Sequence, residues 1–293
     1  MSLRIIGGIG EISSGYDGVI LDLWGVLHDG SKPFPGAVDA LERLKAAGKR
    51  RIILSNAPRR AAMVAERLTE IGIPATLYDA IHSSGEEAWL HLKQRDDPFF
   101  RALGQHCYFI GPHRDDPLMT GLDYRRVAEV AEADFLLAVG PSHWEGTIEP
   151  FKTILDAAQK RGLPMVCANA DLVVMHKGRR SICAGAMAEY YERIGGAVRW
   201  HGKPYPSVYE FCFKRFAALG VDDRRRILAV GDSLRTDIAG ARAAGIDSVL
   251  VASGIHAEEI GLKPGALADP ELLAALVARS GESPRAALAE FRW

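Results

Sequence analysis

Residues 18–30 read GVILDLWGVLHDG, and this stretch decides the fold. An apolar run that leads directly into a carboxylate is typical of a strand buried on both faces, as central strands of parallel sheets are. Ligands of open α/β sheets bind beyond the carboxyl ends of the strands. Asp22 stands at that end, where it can serve as a nucleophile, a metal ligand or an ordinary cap, and Gly25 and Gly30 supply the turn.

On either side of this stretch, strand and helix patterns alternate along the chain. A helix begins at Pro35 and ends at Gly48, and another begins at Pro58 and ends at Gly72. We predict further helices over 124–131, 150–161 and 271–289, and strands over 51–54, 107–110, 135–139, 165–168, 227–230 and 248–251. This alternation predicts an α/β fold with a parallel sheet, and short crossings near residues 80 and 183 predict an inserted domain.

The composition excludes several classes of function. The 293 residues are 48% hydrophobic and carry a net charge of −1, with both signs interspersed, so we expect neither a nucleic-acid nor a membrane partner. No apolar run reaches transmembrane length, and the first ten residues lack a signal-peptide pattern. Because the four cysteines form no C-x-x-C pair, we predict reduced thiols and a cytoplasmic location.

Polar side chains follow three of the predicted strands: Asp22 after the first, Ser55 and Asn56 after the second, and Asp232 and Asp237 after a later one. The second pair precedes a helix, whose N-terminus favours an anion. Lys203, in a G-K-P sequence, adds a fixed cation. Each residue alone fits a cap or a solvent-exposed side chain. Together they supply the nucleophile, anion donors and metal-binding carboxylates that phosphoryl transfer requires.

The order of these motifs resembles that of the haloacid dehalogenase superfamily of hydrolases. Asp22 matches motif one, Ser55 motif two, Lys203 motif three, and Asp232 with Asp237 motif four. The G-D-x-x-x-T-D and G-K-P forms, with CANAD at 167–171, resemble subclass IIA. The resemblance implies a Rossmann-like three-layer core with a parallel sheet, formed by residues 1–79 and 183–293. It also implies an inserted α/β cap at 80–182, and relatives that include pyridoxal phosphate, nucleotide and sugar phosphate phosphatases.

The resemblance also implies roles for individual residues. Asp22 would attack phosphorus, and Mg²⁺ would be held by Asp22, Asp232 and the backbone carbonyl of Trp24. The phosphoryl oxygens would be held by Ser55, Asn56 and Lys203, with Asp237 orienting Lys203 or a metal-bound water. The cap would close over the site and choose a small phosphorylated metabolite, and relatives often form homodimers through it. The candidate substrate-binding residues are Trp24, His143, Trp144, Asn169 and Asp171. The arginines of the basic run at 176–180 are candidates for holding a second anion, but a solvated cap loop is the better interpretation of Lys177 and Arg180.

Trp24 departs from the family pattern. Phosphatases of this family carry Asp two residues after the nucleophile, and that Asp acts as the general acid and base. Tryptophan has no titratable group. His28, four residues further on, is either a proton relay or, as we favour, a structural or solvent-facing histidine. Three functions follow: a phosphatase with unusual acid catalysis, a phosphometabolite-binding protein without turnover, and a dehalogenase-like hydrolase. Dehalogenases of the family need no metal, so the pair Asp232 and Asp237 argues against the third.

Overall fold

The computed structural model describes residues 3–176, 179–263 and 265–293. The strands are β1 (Gly18–Leu21), β2 (Arg50–Ser55), β3 (Ala80–Ser83), β4 (His106–Ile110), β5 (Arg125–Val127), β6 (Phe135–Ala138), β7 (Met165–Cys167), β8 (Val173–His176), β9 (Arg179–Ile182), β10 (Val198–Trp200), β11 (Ile227–Gly231), β12 (Asp247–Val251) and β13 (Ala286–Leu288). The helices are α1 (Gly10–Ser13), α2 (Ala37–Ala46), α3 (Ala61–Glu70), α4 (Ser84–Gln94), α5 (Pro98–Ala102), α6 (Glu149–Lys160), α7 (Ala184–Arg193), α8 (Pro206–Ala218), α9 (Ala239–Ala243) and α10 (Pro270–Ser280).

The chain folds into two compact units. The first contains residues up to Ser55, 65–82 and 203–293, and the second contains 56–64 and 83–202. The second unit extends to residue 202, beyond the predicted cap limit of 182. It does so because β10 pairs in parallel with β7, and Met187 and Tyr191 of α7 belong to the core of the same unit. The predicted limits of 80 and 182 describe a functional cap and stay a prediction.

A six-stranded sheet forms the first unit, in the order β13-β12-β11-β1-β2-β3. β1 lies at its centre and pairs in parallel with β2 and β11. All four residues of β1 are buried, as its continuous apolar run predicts. One face of the sheet packs against α8, where Ile20 and Ile52 share a core with Tyr209 and Phe216. The predicted Rossmann-like α/β fold with a parallel-sheet core is confirmed.

A five-stranded parallel sheet forms the second unit, in the order β10-β7-β6-β4-β5, beside the hairpin of β8 and β9. The side chains of the central strand β6 alternate between two hydrophobic cores, one on each face of the sheet. Phe135 and Leu137 pack with residues of α4 and α5, whereas Leu136 and Ala138 pack with residues of α6 and α7. This period of two shows that both faces of the sheet are covered by helices.

Two predicted helices differ from the structure. Residues 125–127 form β5, which pairs in parallel with β4, so the helix predicted over 124–131 is wrong. The helix predicted over 271–289 ends at Ser280, because Gly281 adopts the left-handed conformation with φ of 73°. Beyond it, β13 adds a parallel strand to β12.

Among the helices of the described ranges, none combines the length and the apolar character that crossing a membrane requires.

Candidate active site

The carboxyl ends of three neighbouring strands bring the predicted motifs of the first unit together. In the register of the sheet, Leu21 lies beside Ile53 of β2 and beside Val230 of β11. The backbone N–H of Asp22 continues the ladder by donating to the carbonyl of Val230 over 2.9 Å. Asp22, Ser55 and Asp232 therefore follow at the same edge of the sheet, and all three are buried.

Lys203 connects the carboxylate of Asp22 with that of Asp237. Its Nζ donates to Oδ1 of Asp22 and, over 2.7 Å, to Oδ1 of Asp237. The lysine is only 3% exposed, so its charge is screened little by solvent. The family resemblance implies that Asp237 orients Lys203 or a metal-bound water. The structure shows a contact with Lys203, and the catalytic role itself stays a prediction.

Asp237 is fixed from two sides. It lies on a single π-helical turn, Leu234–Ile238, where its Oδ2 accepts from the backbone N–H of Ser233 over 3.1 Å. The hydroxyl of Tyr209 donates to the backbone carbonyl of Asp237 over 3.3 Å. Burial and the charge of Asp237 raise the pKa of Tyr209 well above its usual value, so this phenol stays a neutral donor.

Asp232 sits in a narrow space between two glycines. A Cβ at Gly25 would lie 2.0 Å from Oδ2 of Asp232, and a Cβ at Gly254 would lie 1.9 Å from it. Gly25 also has a φ of 84°, so it is required both for its conformation and for this approach. Oδ2 accepts from the backbone N–H of Ile255 over 2.8 Å. The carboxylate is thus held in one position by backbone.

The charges of this edge fit a divalent cation. Oxygen atoms of Asp22, Asp232 and Asp237 lie within 4.8 Å of one another. Burial, followed by the charges of Asp22 and Asp237, raises the pKa of Asp232 well above its usual range. Lys203 donates to two of these three buried carboxylates, Asp22 and Asp237. Clusters of carboxylate oxygens are suited to Mg²⁺.

The side chain of Trp24 packs within its own loop, which follows Asp22. A Cβ at Gly30 would lie 2.3 Å from the Trp24 ring, so the loop closes around the indole only because residue 30 is glycine. The ring meets His28 edge to face, with centroids 5.5 Å apart. Trp24 is half-buried and presents no group that can carry a proton to a substrate.

His28 is held as a neutral structural histidine. It is buried, and its Nδ1 accepts from the backbone N–H of Gly30 over 2.9 Å. Burial lowers the pKa of His28 to about 4, so the ring carries no exchangeable extra proton near neutrality. Of the roles open to it from sequence, the structural one agrees with these contacts, and the solvent-facing one does not.

The second unit brings together three residues that sequence placed in the site. Asn56 Nδ2 donates to Oδ1 of Asp171 over 2.8 Å, and the backbone N–H of Asp171 donates to Oδ1 of Asn169 over 2.9 Å. Asn169 and Asn56 are buried and Asp171 is half-buried. Asn56 is joined through the chain to Ser55 of the first unit. The roles of these residues toward a substrate stay predictions.

His143 and Trp144 lie in the exposed loop after β6. Trp144 is 41% exposed, and the guanidinium of Arg114 lies 6.0 Å from its ring centroid. His143 is exposed as well. Within the basic run predicted at 176–180, Lys177 and Gly178 lie outside the described residues. The substrate-binding roles predicted for His143, Trp144 and this run stay predictions.

Sequence reasoning missed the groups that position the carboxylates. Tyr209 reads in sequence as one of the apolar residues of α8, and nothing there indicates that its hydroxyl reaches Asp237. The Ile255 amide and Gly254 had a weak signal, because they follow β12 as the motifs follow β1 and β11. These groups complete the frame around Asp232 and Asp237.

A parallel α/β sheet that carries buried carboxylates and a lysine at its carboxyl edge is suited to phosphoryl transfer. Residues 19–125 match the family described as haloacid dehalogenase-like hydrolase, and residues 200–279 match the family described as HAD-hydrolase-like. Human chronophin is 30% identical over 81% of this chain and 81% of its own length. The chain belongs to the haloacid dehalogenase-like hydrolases.

Three further comparisons also find haloacid dehalogenase-like hydrolases or phosphatases. D-glycerol 3-phosphate phosphatase of Mycobacterium tuberculosis is 28% identical over 84% of this chain, which spans 65% of that enzyme's length. A crystal structure of a glycerol phosphate phosphatase from the same species in complex with magnesium has a TM-score of 0.61 at 27% identity, covering 83% of this chain and 70% of that one. A haloacid dehalogenase-like hydrolase from Brucella suis 1330 has a TM-score of 0.83 at 28% identity, covering 98% and 100% of the two chains.

Proposed function

We propose that this chain is a Mg²⁺-dependent phosphatase that acts on a small phosphorylated metabolite through an aspartyl-phosphate at Asp22. The observation that carries the proposal is the buried cluster at the sheet edge, in which Lys203 contacts Asp22 and Asp237 while Asp232 lies close by. It combines a carboxylate nucleophile, a cation for phosphoryl oxygens and oxygen ligands for a metal.

The reaction divides into two displacements. An oxygen of Asp22 attacks phosphorus, and the bond from phosphorus to the leaving oxygen breaks. Water then hydrolyses the aspartyl-phosphate, which releases inorganic phosphate and restores the Asp22 carboxylate. Lys203, Ser55 and Asn56 donate to the phosphoryl oxygens during both displacements. In this proposal the leaving alkoxide takes its proton from water, because Trp24 has none to give.

The acidic residues would hold the metal. Asp22 and Asp232 would bind Mg²⁺ together with the backbone carbonyl of Trp24, and the ion would offset the charge of the phosphoryl group when bound. Asp237 would keep Lys203 directed at Asp22. The glycerol phosphate phosphatase crystallised with magnesium supports this metal.

Selection of the substrate is assigned to the second unit in this proposal. Asn169 and Asp171 form a hydrogen-bonded group with Asn56, whose neighbour Ser55 belongs to the catalytic motif. The names of the relatives, glycerol phosphate phosphatase among them, support a small phosphorylated substrate. A cytoplasmic location, a homodimer and the absence of nucleic-acid and membrane partners stay predictions.

Trp24 favours a second function. Because it replaces the general acid and His28 is neutral and structural, the chain would also serve as a phosphometabolite-binding protein with little turnover. General acid–base catalysis contributes about 10²–10⁴-fold in rate, so its loss leaves binding intact while turnover falls. Ligand binding without phosphate release would identify this function.

Phosphate release from a panel of metabolite and aryl phosphates tests the proposal. Wild-type protein should release phosphate with Mg²⁺ and lose that activity with EDTA. Asp22→Asn should abolish release while preserving the fold, because the two side chains have nearly the same shape. Asp17→Asn is the matched control, since Asp17 precedes β1 and pairs with the exposed Arg226. Equal activity of Asp22→Asn and wild type would overturn the proposal.

A further inference from the structure

A second group of metal-ligating side chains lies in the second unit. Glu87 and His91 project from α4, and His201 follows β10. One ligand atom from each lies within 4.8 Å of the other two. None of these residues belongs to the motifs of the active site. Two imidazoles and a carboxylate form a known ligand set of zinc sites that keep a fourth position open.

His201 is the residue that indicates a ligand. It is only 2% exposed, and neither ring nitrogen has a hydrogen-bond partner among the described residues. Oε2 of Glu87 lies 3.2 Å from its Nδ1, but outside hydrogen-bonding geometry. A buried imidazole without partners forfeits the hydrogen bonds it makes to water in the unfolded chain. A metal ion would supply the missing interaction for one nitrogen.

Glu87 brings a buried carboxylate to the same point. It is 4% exposed, and its Oε2 accepts from the backbone N–H of Gly202 over 2.9 Å. That bond fixes one oxygen beside the segment that carries His201. A buried carboxylate next to two imidazoles offers the mixed oxygen and nitrogen ligands that zinc accepts and magnesium disfavours.

His91 contacts a carboxylate through one ring nitrogen, as histidines that bind metals through the other nitrogen usually do. Its Nδ1 lies 3.1 Å from Oδ1 of Asp96, an arrangement that fixes the ring and leaves Nε2 for a ligand. The His91 ring stacks on Phe100 with centroids 5.1 Å apart and lies 5.4 Å from the ring of His201. These contacts hold both imidazoles near their present positions.

We propose that Glu87, His91 and His201 form a site for a divalent transition metal of the zinc type, separate from the active-site carboxylates. Two atoms bound to one Zn²⁺ through bonds of about 2 Å lie roughly 3–4 Å apart, so side-chain adjustments within the observed 4.8 Å limit bring the three together. The ion would join α4 to the segment that leads along the chain to Lys203.

Metal binding tests the site. Chelator-treated wild-type protein is dialysed against Zn²⁺, and separately against Co²⁺, in excess Mg²⁺. It should bind one Zn²⁺ per chain, and Co²⁺ should give visible absorption bands of an imidazole-ligated ion. His91→Gln and Glu87→Gln should lose this binding, whereas Asp96→Asn should weaken it by about 10–100-fold. His91 is only half-buried, so its variant is the one expected to keep the fold.

Two controls separate this site from others. His106→Gln removes an imidazole of the same unit whose Nδ1 also lies 3.0 Å from a carboxylate, that of Asp134, and it should bind Zn²⁺ as wild type does. Asp232→Asn alters the active-site carboxylates and should also keep the binding. Absence of bound Zn²⁺ in the wild type, or equal binding by a folded His91→Gln variant, would overturn the proposal. Loss in Asp232→Asn with retention in His91→Gln would assign the ion to the active site instead.

Discussion

Replacement of Trp24 by aspartate restores the acid that the loop lacks. If leaving-group protonation limits the rate, Trp24→Asp should raise kcat/KM for alkyl phosphates, whose alkoxides leave poorly without a proton. Aryl phosphates should gain little, because a nitrophenolate leaves nearly unaided. A new carboxylate close to the charges of Asp22 and Asp232 would have a raised pKa, which favours the protonated form that donates.

The structure bounds the size of this gain. General acid catalysis is worth about 10²–10⁴-fold, which at 1.36 kcal/mol per tenfold is about 3–5 kcal/mol of transition-state stabilisation. Removing a fully buried tryptophan costs about 3–5 kcal/mol of stability, and Trp24 is half-buried, so a loss of about 2 kcal/mol is expected. The gain in kcat/KM should therefore lie toward the lower end of the 10²–10⁴-fold range, because the space left by the indole loosens the loop that holds the new acid.

The assay measures kcat/KM for one alkyl and one aryl phosphate in wild type, Trp24→Asp and Trp24→Asn. Asparagine matches the shape of aspartate and donates no ionisable proton, so it separates acid catalysis from pocket enlargement. Circular dichroism checks that each variant is folded. A folded Trp24→Asp variant with no gain specific to alkyl phosphates, or with the same gain as Trp24→Asn, would refute the reasoning and leave Trp24 as a wall of the pocket.

Three further outcomes are expected. Mg²⁺ should stabilise the wild type by about 2.7 kcal/mol at a hundredfold excess over Kd, and Asp232→Asn should lose this gain in thermal melts; equal gains would remove the site. Asp171→Asn should change the preference among substrates more than the turnover of a small aryl phosphate, and an unchanged preference profile would count against its role. Since the folded-state pKa of His28 is about 4 against 6.5 in the unfolded chain, stability should fall by up to about 3 kcal/mol as pH drops from 6.5 to 4. The fall should be smaller in His28→Gln, as denaturant melts would measure, and an unchanged fall would contradict a neutral buried ring.

The sequence was sufficient to predict the central strand of the first sheet and the positions of the motifs at the carboxyl edge of that sheet. The apolar run into Asp22 predicts a buried central strand, and strand-to-helix junctions at Ser55 and Asp232 predict where the other groups lie. Because carboxyl ends of neighbouring parallel strands share one edge, these positions converge without knowledge of any side-chain contact.

Other elements and contacts could not be predicted, because they depend on long-range contacts or have only weak local sequence patterns. β13 is only Ala286–Leu288, a sequence with high helix propensity, and its pairing with β12 decides its conformation. β5 is likewise a strand because it pairs with β4, not because its own sequence favours a strand. The group around His201 joins residues more than a hundred positions apart in the chain, so no spacing rule for metal ligands detects it.

The most direct test of the proposed function is detection of the phosphoryl group on Asp22. Protein mixed with an aryl phosphate and Mg²⁺ is quenched in acid during turnover, and the peptide containing residues 18–30 is weighed by mass spectrometry. The wild type should carry the mass of one phosphoryl group on Asp22, and Asp22→Asn should carry none. Steady phosphate release by the wild type with the label absent from Asp22, or present on another residue, would contradict the covalent mechanism.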